Sequence, residues 1–310
     1  MDWWTWIFFL IGCLATLFVL YKILYIAYSV LWPYYLGPRI DLKDRAGAEW
    51  AVITGATDGI GQAYAFALAE QGFKILLISR TQSRLDRTKE IIHERCKTEV
   101  RTFAFDFTSN SLEDYEPLLE TLESLEIGIL VNNVGMAFDY PDKIHKIPGG
   151  LEKIHKLVNI NVHPPTLLSM AVLPHMVARE SGIIINIGSS SANYPLEYWS
   201  AYSASKKYVE WLTRIMAKEY KKYGIIIQCI TPMKVATKAS GAEKSLIAPD
   251  PKSYVHHALR SVGLAEVTTG HPFHQLQVLI FDMPAWILDP FIGLMSRNMR
   301  KEGLKKAAQE

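Results

Sequence analysis

Tyr202 and Lys206 are the residues of this 310-residue chain whose types and spacing most clearly indicate chemistry. They lie four positions apart in Tyr-Ser-Ala-Ser-Lys, so a helix places both side chains on one face. A tyrosine has a pKa of about 10 in water, and a neighbouring ammonium lowers that pKa. Ser189 lies thirteen residues before Tyr202, and its hydroxyl can hold a substrate oxygen. The three side chains predict proton transfer to or from the oxygen of a ketone or alcohol.

A glycine-rich loop supports this prediction. Such support is needed because tyrosine–lysine pairs with this spacing also occur by chance on helix surfaces. Glycines between a strand and a helix permit a tight turn and close approach of the backbone to a pyrophosphate at the helix N-terminus. The spacing is Gly-x-x-x-Gly-x-Gly, and an ordinary strand–helix turn is the alternative for a lone glycine loop. The strand before it and the helix after it favour dinucleotide binding. The predicted contacts are Gly55, Thr57, Asp58, Gly59, Ile60 and Gly61.

The end of the next predicted strand selects the cofactor. An acid about twenty residues beyond the loop would bind the ribose 2′-hydroxyl of NAD, but this stretch ends in Ser79-Arg80 and has no acid there. A guanidinium pairs with a 2′-phosphate through charge-assisted hydrogen bonds, whereas a carboxylate would repel it. The sequence therefore predicts NADPH or NADP+ as the cofactor. A solvated cation at a strand end is the alternative interpretation of Arg80.

Short apolar runs alternate with helical patterns through the body of the chain. Because near-continuous apolar strands are buried on both faces, the pattern predicts an α/β fold with a Rossmann-type, doubly wound parallel sheet of about seven strands. Helices are predicted at 63–72, 83–96, 112–125, 151–178 and 202–223. Six strands are predicted at 50–54, 74–78, 100–105, 127–131, 183–187 and 225–230.

Composition excludes several classes of protein. Apolar residues make up 49% and charged residues 21%, which is not typical of disordered or disulfide-stabilised small proteins. A net charge of +2 gives no indication of nucleic-acid binding. Three cysteines without a C-x-x-C pair suit a reducing compartment, and nine histidines without a zinc motif predict no metal site. The mean hydropathy of +0.08 is high for a soluble enzyme.

Much of this hydropathy lies at the N-terminus, where residues 3–21 are nineteen residues without a charge. A helix of that length matches the hydrocarbon thickness of a bilayer. A cleaved signal peptide would need a basic start, and a buried core helix is rarely so long, so an uncleaved transmembrane helix is favoured. Lys22, Arg39, Lys43 and Arg45 all follow the segment, which predicts a lumenal N-terminus and a cytosolic body.

Three regions are predicted, with the boundary of the anchor in residues 37–47. Residues 1–40 form the membrane anchor, 45–240 the NADP-binding catalytic domain, and 241–310 a C-terminal extension of that domain. In this extension, residues 273–295 are apolar but interrupted by two aspartates and two prolines, so they are not expected to span a membrane. A lid over an apolar substrate, a surface lying on the membrane and ordinary core packing remain as alternatives for this segment.

Over residues 48–240 the chain resembles the short-chain dehydrogenase/reductase family. The resemblance implies that Tyr202 is the general acid/base, that Lys206 binds the nicotinamide ribose and lowers the tyrosine pKa, and that Ser189 orients the substrate. It further implies a water-linked proton relay at Asn161, contact of Asp106 with adenine, and contact of Thr237 with the carboxamide region of the cofactor. The motifs that carry the resemblance are the glycine loop, Asp106, Asn132-Asn133-Val134-Gly135, Asn161, Ser189, Tyr202, Lys206 and residues 232–237. The resemblance adds Asn133, Gly135, Pro232 and Val235 to the predicted cofactor contacts.

Most of the chain is similar to the membrane-bound 17β-hydroxysteroid dehydrogenases of types 3 and 12, a group that includes very-long-chain 3-oxoacyl-CoA reductases. The C-terminal part resembles hydroxysteroid dehydrogenase-like protein 1, whose vertebrate members have phenylalanine in place of the catalytic tyrosine. This chain keeps Tyr202. The resemblance implies a membrane-bound, NADPH-dependent reductase of a 17-ketosteroid or a 3-oxoacyl-CoA. A catalytically silent scaffold that binds lipid or cofactor is the alternative.

Three further expectations concern where and how the protein works. The endoplasmic reticulum membrane is the expected location, with the mitochondrion as the alternative. A homodimer is a further expectation. The expected partners are a membrane and a lipophilic small-molecule substrate, and no binding of nucleic acid is expected.

Overall fold

A parallel sheet of seven strands forms the centre of the computed structural model, which describes residues 2–309 except Asn110. The strand order is β3-β2-β1-β4-β5-β6-β7, and every adjacent pair is parallel. The order reverses between β1 and β4, as in a Rossmann-type doubly wound sheet. The strands are β1 Trp50–Thr54, β2 Lys74–Ser79, β3 Val100–Ala104, β4 Ile127–Asn132, β5 Ile183–Ile187, β6 Ile226–Ile230 and β7 Val267–Thr268.

Helices cover both faces of the sheet. Successive residues of a strand point to opposite faces, so Ala51 and Ile53 belong to one apolar core and Val52 to the other. The first core packs against α3, α4 and α8, and the second against α5, α6 and α7. The helices are α1 Trp3–Leu31, α2 Leu42–Ala46, α3 Gly59–Glu70, α4 Gln82–Cys96, α5 Leu112–Glu123, α6 Gly150–Ala178, α7 Ser200–Tyr220, α8 Pro251–Arg260, α9 Pro272–Gln277 and α10 Ala285–Ala307.

The predicted fold class is confirmed, and the differences lie at element ends and in elements that the sequence did not place. Helix α3 begins at Gly59, four residues before the predicted start, because the Asp58 carboxylate caps the Gly59 N–H at 2.7 Å. The short helix α2 occupies the predicted boundary between anchor and body, where the Asp41 carboxylate caps its first turn. Strand β7, for which the sequence offered no position, comes from the C-terminal extension and pairs Val267 with Cys229.

Helix α1 stands apart from the two cores. It contains no buried residue, and in the described part of the chain it is the single continuous helix long and apolar enough to cross a membrane. A π-helical turn, Trp32–Leu36, joins it to the body. There the buried Tyr34 hydroxyl lies 2.5 Å from the Thr268 hydroxyl, and the Arg260 guanidinium donates to the Pro38 carbonyl. These contacts tie the end of the apolar helix to the edge of the sheet.

Candidate active site

The predicted catalytic side chains meet at the carboxyl edge of the sheet. Ser189 follows β5, and its extended backbone begins a short 3₁₀ turn. Its hydroxyl accepts hydrogen bonds from the Ser191 N–H at 3.2 Å and the Ser191 hydroxyl at 2.9 Å. Helix α7 presents Tyr202 to Ser189, which is near enough to lower the tyrosine pKa. One turn further along α7, the buried Lys206 ammonium donates to the Ile187 carbonyl at 3.0 Å.

Burial determines the charge state of this pair. It raises the pKa of Tyr202, and the nearby Ser189 hydroxyl opposes this effect only in part. The shift arises from burial and from Ser189, and the lowering of the tyrosine pKa by Lys206 stays a prediction. Burial also lowers the pKa of Lys206 to about 8. At neutral pH the site thus holds a protonated tyrosine above a protonated lysine.

Asn161 fixes the chain that follows β4. Its amide oxygen accepts the Met136 N–H at 2.9 Å, and its amide nitrogen donates to the Met136 carbonyl at 3.0 Å. The same nitrogen donates to the Ser205 hydroxyl at 3.0 Å, which joins α6 to α7 between Tyr202 and Lys206. Sequence analysis did not single out Ser205, although its place inside the Tyr-Ser-Ala-Ser-Lys motif is a signal. The relay role of Asn161 stays a prediction, while its role in positioning Met136 is visible.

Three glycines of the cofactor motifs lie where a side chain would not fit. A Cβ on Gly61 would lie 2.4 Å from both the Asn133 amide nitrogen and the Gly55 carbonyl oxygen. Gly55 itself has a φ of +65°, and a Cβ on Gly135 would lie 3.1 Å from the Lys206 ammonium. The loop after β1 and the loop after β4 are therefore packed against each other at backbone distance.

Thr54 and Asn133 hold these two loops together. The Thr54 hydroxyl accepts the Asn133 N–H at 2.9 Å, and the Asn133 amide donates to the Thr54 carbonyl at 2.9 Å. Thr54 was not predicted as a site residue, since a threonine that ends an apolar strand carries no special signal. These hydrogen bonds fix the loop after β1 and the loop after β4 to each other next to the N-terminus of α3.

The N-terminus of α3 fits an anionic group. The first N–H groups of a helix have no partner within it. Asp58 takes that of Gly59, and in the described residues no acceptor is recorded for those of Ile60 and Gly61. Such free donors at a positive helix end are suited to a pyrophosphate.

The predicted 2′-phosphate contacts gather at the end of β2. The hydroxyls of Thr57 and Ser79 lie 3.0 Å apart, and the exposed Arg80 follows Ser79 directly. Asp106 is exposed at the end of the neighbouring β3, and its carboxylate accepts from the Thr108 N–H at 3.0 Å and the Thr108 hydroxyl at 2.9 Å. Its contact with adenine stays a prediction.

The loop after β6 closes the other side of the site. Ser190 donates from its N–H and its hydroxyl to the Pro232 carbonyl, at 3.0 and 3.1 Å. Val235 is buried, and Thr237 lies opposite Gly59, with its methyl carbon 3.1 Å from where a Gly59 Cβ would be. A cavity of about 680 Å³ opens beside Gly59 and Thr237 and continues between α3 and α8, away from Tyr202.

His274 on α9 holds the same loop from the C-terminal side. Its Nδ1 accepts the Met233 N–H at 3.3 Å, and its Nε2 lies 3.2 Å from the Lys234 carbonyl. Burial lowers the pKa of His274 to about 4, so the ring is neutral at pH 7 and can serve as acceptor and donor at once. Sequence analysis missed this role, because the contact joins two residues forty positions apart.

Beneath the site, buried amides connect the central strands. The Asn132 amide donates to the Asn186 amide oxygen at 2.8 Å, and the Asn186 amide donates to the Thr213 hydroxyl at 2.9 Å. Asn132 and Asn186 are register partners in β4 and β5. The chain of hydrogen bonds therefore aligns β4, β5 and α7.

Apolar side chains pack around Tyr202. Tyr202 and Trp199, whose ring centroids are 5.9 Å apart, pack against a buried cluster of Phe138, Ile147 and Leu157. This environment suits an apolar molecule next to the tyrosine hydroxyl. In the described residues, no group of three or more His, Cys, Asp or Glu side chains is placed to hold a metal ion.

Known proteins match this chain over most of its length. The family model described as short chain dehydrogenase matches residues 49–246. The very-long-chain 3-oxoacyl-CoA reductase let-767 of Caenorhabditis briggsae is 50% identical over 96% of both chains. A Caenorhabditis elegans protein from a group named steroid dehydrogenases is 46% identical over 96% of this chain and 95% of its own.

Among solved structures, the short-chain dehydrogenase of Sphingobium yanoikuyae in complex with NADPH has a TM-score of 0.63 and is 29% identical, covering 71% of this chain and 86% of its own. The residues matched by the family model, 49–246, contain the glycine loop and the site of Ser189, Tyr202 and Lys206. The chain therefore belongs to the short-chain dehydrogenase/reductase family.

Proposed function

We propose that the protein is a membrane-anchored, NADPH-dependent reductase that converts the 3-oxo group of a very-long-chain acyl-CoA to a hydroxyl group. The observation that carries the proposal is the meeting of Ser189, Tyr202 and Lys206 at one point beside the glycine loop. The Caenorhabditis briggsae relative, which this chain matches almost from end to end, is named for that reaction.

Tyr202 acts as the acid in this reaction. Because burial raises its pKa, the hydroxyl is protonated at neutral pH and can donate its proton to the carbonyl oxygen as the carbon is reduced. Oxidation of an alcohol would need the phenolate, which burial disfavours. Ser189, whose hydroxyl lies beside the tyrosine, holds the same carbonyl oxygen. At neutral pH the tyrosine therefore starts in the protonated form that reduction of a ketone requires.

The chain offers a separate group of residues for each part of the cofactor. The free N–H groups of Ile60 and Gly61 suit the pyrophosphate, and Arg80 suits the 2′-phosphate. Lys206, held by the Ile187 carbonyl, has its ammonium beside Gly135 on the ribose side. When bound, NADPH supplies the hydride that reduces the carbonyl carbon.

A 17-ketosteroid is the second candidate substrate. Relatives with steroid dehydrogenase in their names favour it, and the apolar cluster of Phe138, Ile147 and Leu157 beside Tyr202 suits a steroid ring as well as an acyl chain. A silent scaffold is less well supported, because a scaffold has no need of a buried lysine ammonium and a hydroxyl pair at the strand ends.

We further propose that α1 anchors the protein in the endoplasmic reticulum membrane with the catalytic domain in the cytosol. Its apolar length and the cations that follow it support this orientation. Protease added to sealed microsomes should remove a tag on the C-terminus and leave a tag on the N-terminus intact. The opposite pattern would reverse the orientation, and co-fractionation with mitochondria would move the location. The homodimer stays a prediction.

The test of the proposed reaction is NADPH oxidation by the full-length protein in vesicles, with 3-oxoacyl-CoA substrates of increasing chain length and a panel of ketosteroids. Tyr202→Phe removes the proton donor and should lower kcat by roughly 10²- to 10⁴-fold. Tyr208→Phe, an exposed tyrosine on the same helix, is the matched control and should leave kcat nearly unchanged. Equal activity of Tyr202→Phe and wild type, or the absence of turnover on every ketone, would refute the proposal.

A further inference from the structure

The C-terminal segment exposes an unusual amount of apolar surface. Helix α9, the 3₁₀ turn Val278–Asp282 and helix α10 follow one another, and the α9 segment and α10 meet at a bend of 118°. Trp286 is 78% exposed, more than any other large apolar residue of the segment. We call this surface the C-terminal apolar face; its exposed members are Phe273, Leu276, Met283, Trp286, Ile287, Phe291, Leu294 and Met295.

The two acidic side chains of residues 273–295 both have partners. The Asp282 carboxylate lies 3.2 Å from the Lys22 ammonium of α1. The Asp289 carboxylate accepts a hydrogen bond from the Tyr194 hydroxyl at 2.6 Å. At the boundary between acyl chains and headgroups neither carboxylate has to leave water completely, so these charges are compatible with a segment that lies there.

The ion pair with Lys22 sets the position of the face relative to the proposed anchor. Residues 3–21 of α1 carry no charge and span about 28 Å at 1.5 Å per residue, which matches the hydrocarbon core of a bilayer. Lys22 then lies at the cytosolic boundary, and Asp282 lies at the same level. Because α9 packs against α1 and the chain bends sharply after Asp282, α10 runs away from α1 near this boundary.

Charge changes along α10 in the manner of a helix that lies on a membrane. Its first half carries the apolar face, and its second half carries five cations and Glu302. Arg297 pairs with Glu197 and Arg300 with Asp142, so the cations left for headgroups are the exposed Lys301, Lys305 and Lys306. Apolar side chains followed by cations suit the boundary between acyl chains and anionic headgroups. A second protein with an apolar patch would match only the first of these features.

We propose that the C-terminal apolar face lies in the cytosolic leaflet of the bilayer and forms a second membrane contact that does not span. Phe281 stacks on Tyr194, with ring centroids 6.3 Å apart, and Tyr194 lies in the loop that follows Ser189. The immersed face is thus attached directly to the active-site loop, and a lipid-dissolved substrate reaches Tyr202 from the leaflet. The inference rests on the anchor proposed above.

Spin-label accessibility in vesicles of phosphatidylcholine with a minor share of phosphatidylserine tests the immersion. Cys13→Ala and Cys96→Ala remove two native thiols, and the fully buried Cys229 is retained. Nitroxides are attached after Trp286→Cys, Phe291→Cys or, as the control, Leu151→Cys, an apolar side chain at the start of α6 that is 87% exposed. The ratio of collisions with oxygen to collisions with a water-soluble nickel complex should be several-fold higher at positions 286 and 291 than at 151.

Two results would overturn the inference. A ratio at 286 and 291 equal to that at 151 would place the face in water. Low collision rates with both agents would show that protein covers it, as a second copy of the chain would. A label on Cys13, in a separate variant that keeps this thiol and carries only Cys96→Ala, separates the two proposals. Lipid exposure there with water exposure at 286 leaves the anchor standing and refutes the immersed face, whereas water exposure at 13 refutes the anchor itself.

Discussion

The buried charge of Lys206 lowers the stability of the fold but is required for the proposed reaction. The substitution Lys206→Met tests both effects. The ammonium is buried, and among the described residues its one hydrogen-bond acceptor is the Ile187 carbonyl. Methionine has a similar length and no charge. We expect the variant to lose reductase activity and to be more stable than the wild type at pH 7.

The magnitude follows from the pKa of the lysine. Burial lowers it from 10.5 to about 8. Each pKa unit corresponds to about 1.4 kcal/mol, so holding the buried charge costs about 3 kcal/mol at pH 7. Loss of the hydrogen bond to Ile187 takes back about 1 kcal/mol. The free energy of unfolding of Lys206→Met should thus rise by about 2 kcal/mol, which raises the melting temperature by roughly 4–8 °C for a chain of this size.

The pH dependence has a definite sign. The pKa of Lys206 is lower in the folded state than in the unfolded state, so between pH 8 and 10.5 the unfolded chain binds more protons and wild-type stability gains with rising pH. Lys206→Met lacks this gain. The stability difference between the two proteins should therefore be largest at pH 7 and shrink towards pH 10. Other titrating groups occur in both proteins and largely cancel in the difference.

The assay is thermal unfolding in detergent, followed by tryptophan fluorescence at pH 7 and pH 9.5, beside NADPH oxidation. Lys218→Met, an exposed lysine on the same helix, controls for the chemical change and should shift the melting temperature by little. A variant less stable than the wild type at pH 7, or a stability difference that does not change with pH, would refute the reasoning.

Three further substitutions test the cofactor site. Arg80→Glu places a carboxylate where we propose the 2′-phosphate binds, and should turn the preference from NADPH to NADH; an unchanged ratio of kcat/KM for the two cofactors would show that Arg80 is only a solvated cation. Gly61→Ala brings a Cβ within 2.4 Å of the Gly55 carbonyl and should raise the Kd for NADPH by at least tenfold in fluorescence titration, an expectation that wild-type affinity would contradict. His274→Leu removes two hydrogen bonds, of about 1 kcal/mol each, from the loop after β6, and should raise KM for NADPH about tenfold with a smaller change in kcat. If kcat falls as much as KM rises and the melting temperature falls as well, His274 has only a structural role.

Local sequence patterns predicted most of the sheet, because buried parallel strands are apolar throughout. Trp50–Thr54 and Ile183–Ile187 have the bounds that were predicted. Strand β7 has two residues, which is too short for any periodicity, and its place depends on pairing with β6. Helix α3 starts in the glycine loop, where low helix propensity hides a start that Asp58 stabilises.

For the site, spacing was sufficient to bring Ser189, Tyr202 and Lys206 together, since strand ends and helix faces are local properties. The direction of the Tyr202 pKa shift was not predictable in the same way. It depends on how much of the chain covers the ring, and parts of that cover come from residues far away in sequence. The same holds for His274, whose contacts with Met233 and Lys234 exist only once α9 has docked.

The pair of asparagines in β4 and β5 has a consequence for alternative folds of the chain. Aliphatic strands tolerate slippage by two residues, since such a shift keeps every side chain on its original face. Here a shift of that size would put Asn186 opposite Leu130 and leave buried amides without partners, at a cost of about 1–3 kcal/mol for each group. The misaligned sheet is thereby disfavoured before any substrate is present. The buried asparagine pair fixes the register of β4 and β5, and this register places Ser189 beside Tyr202.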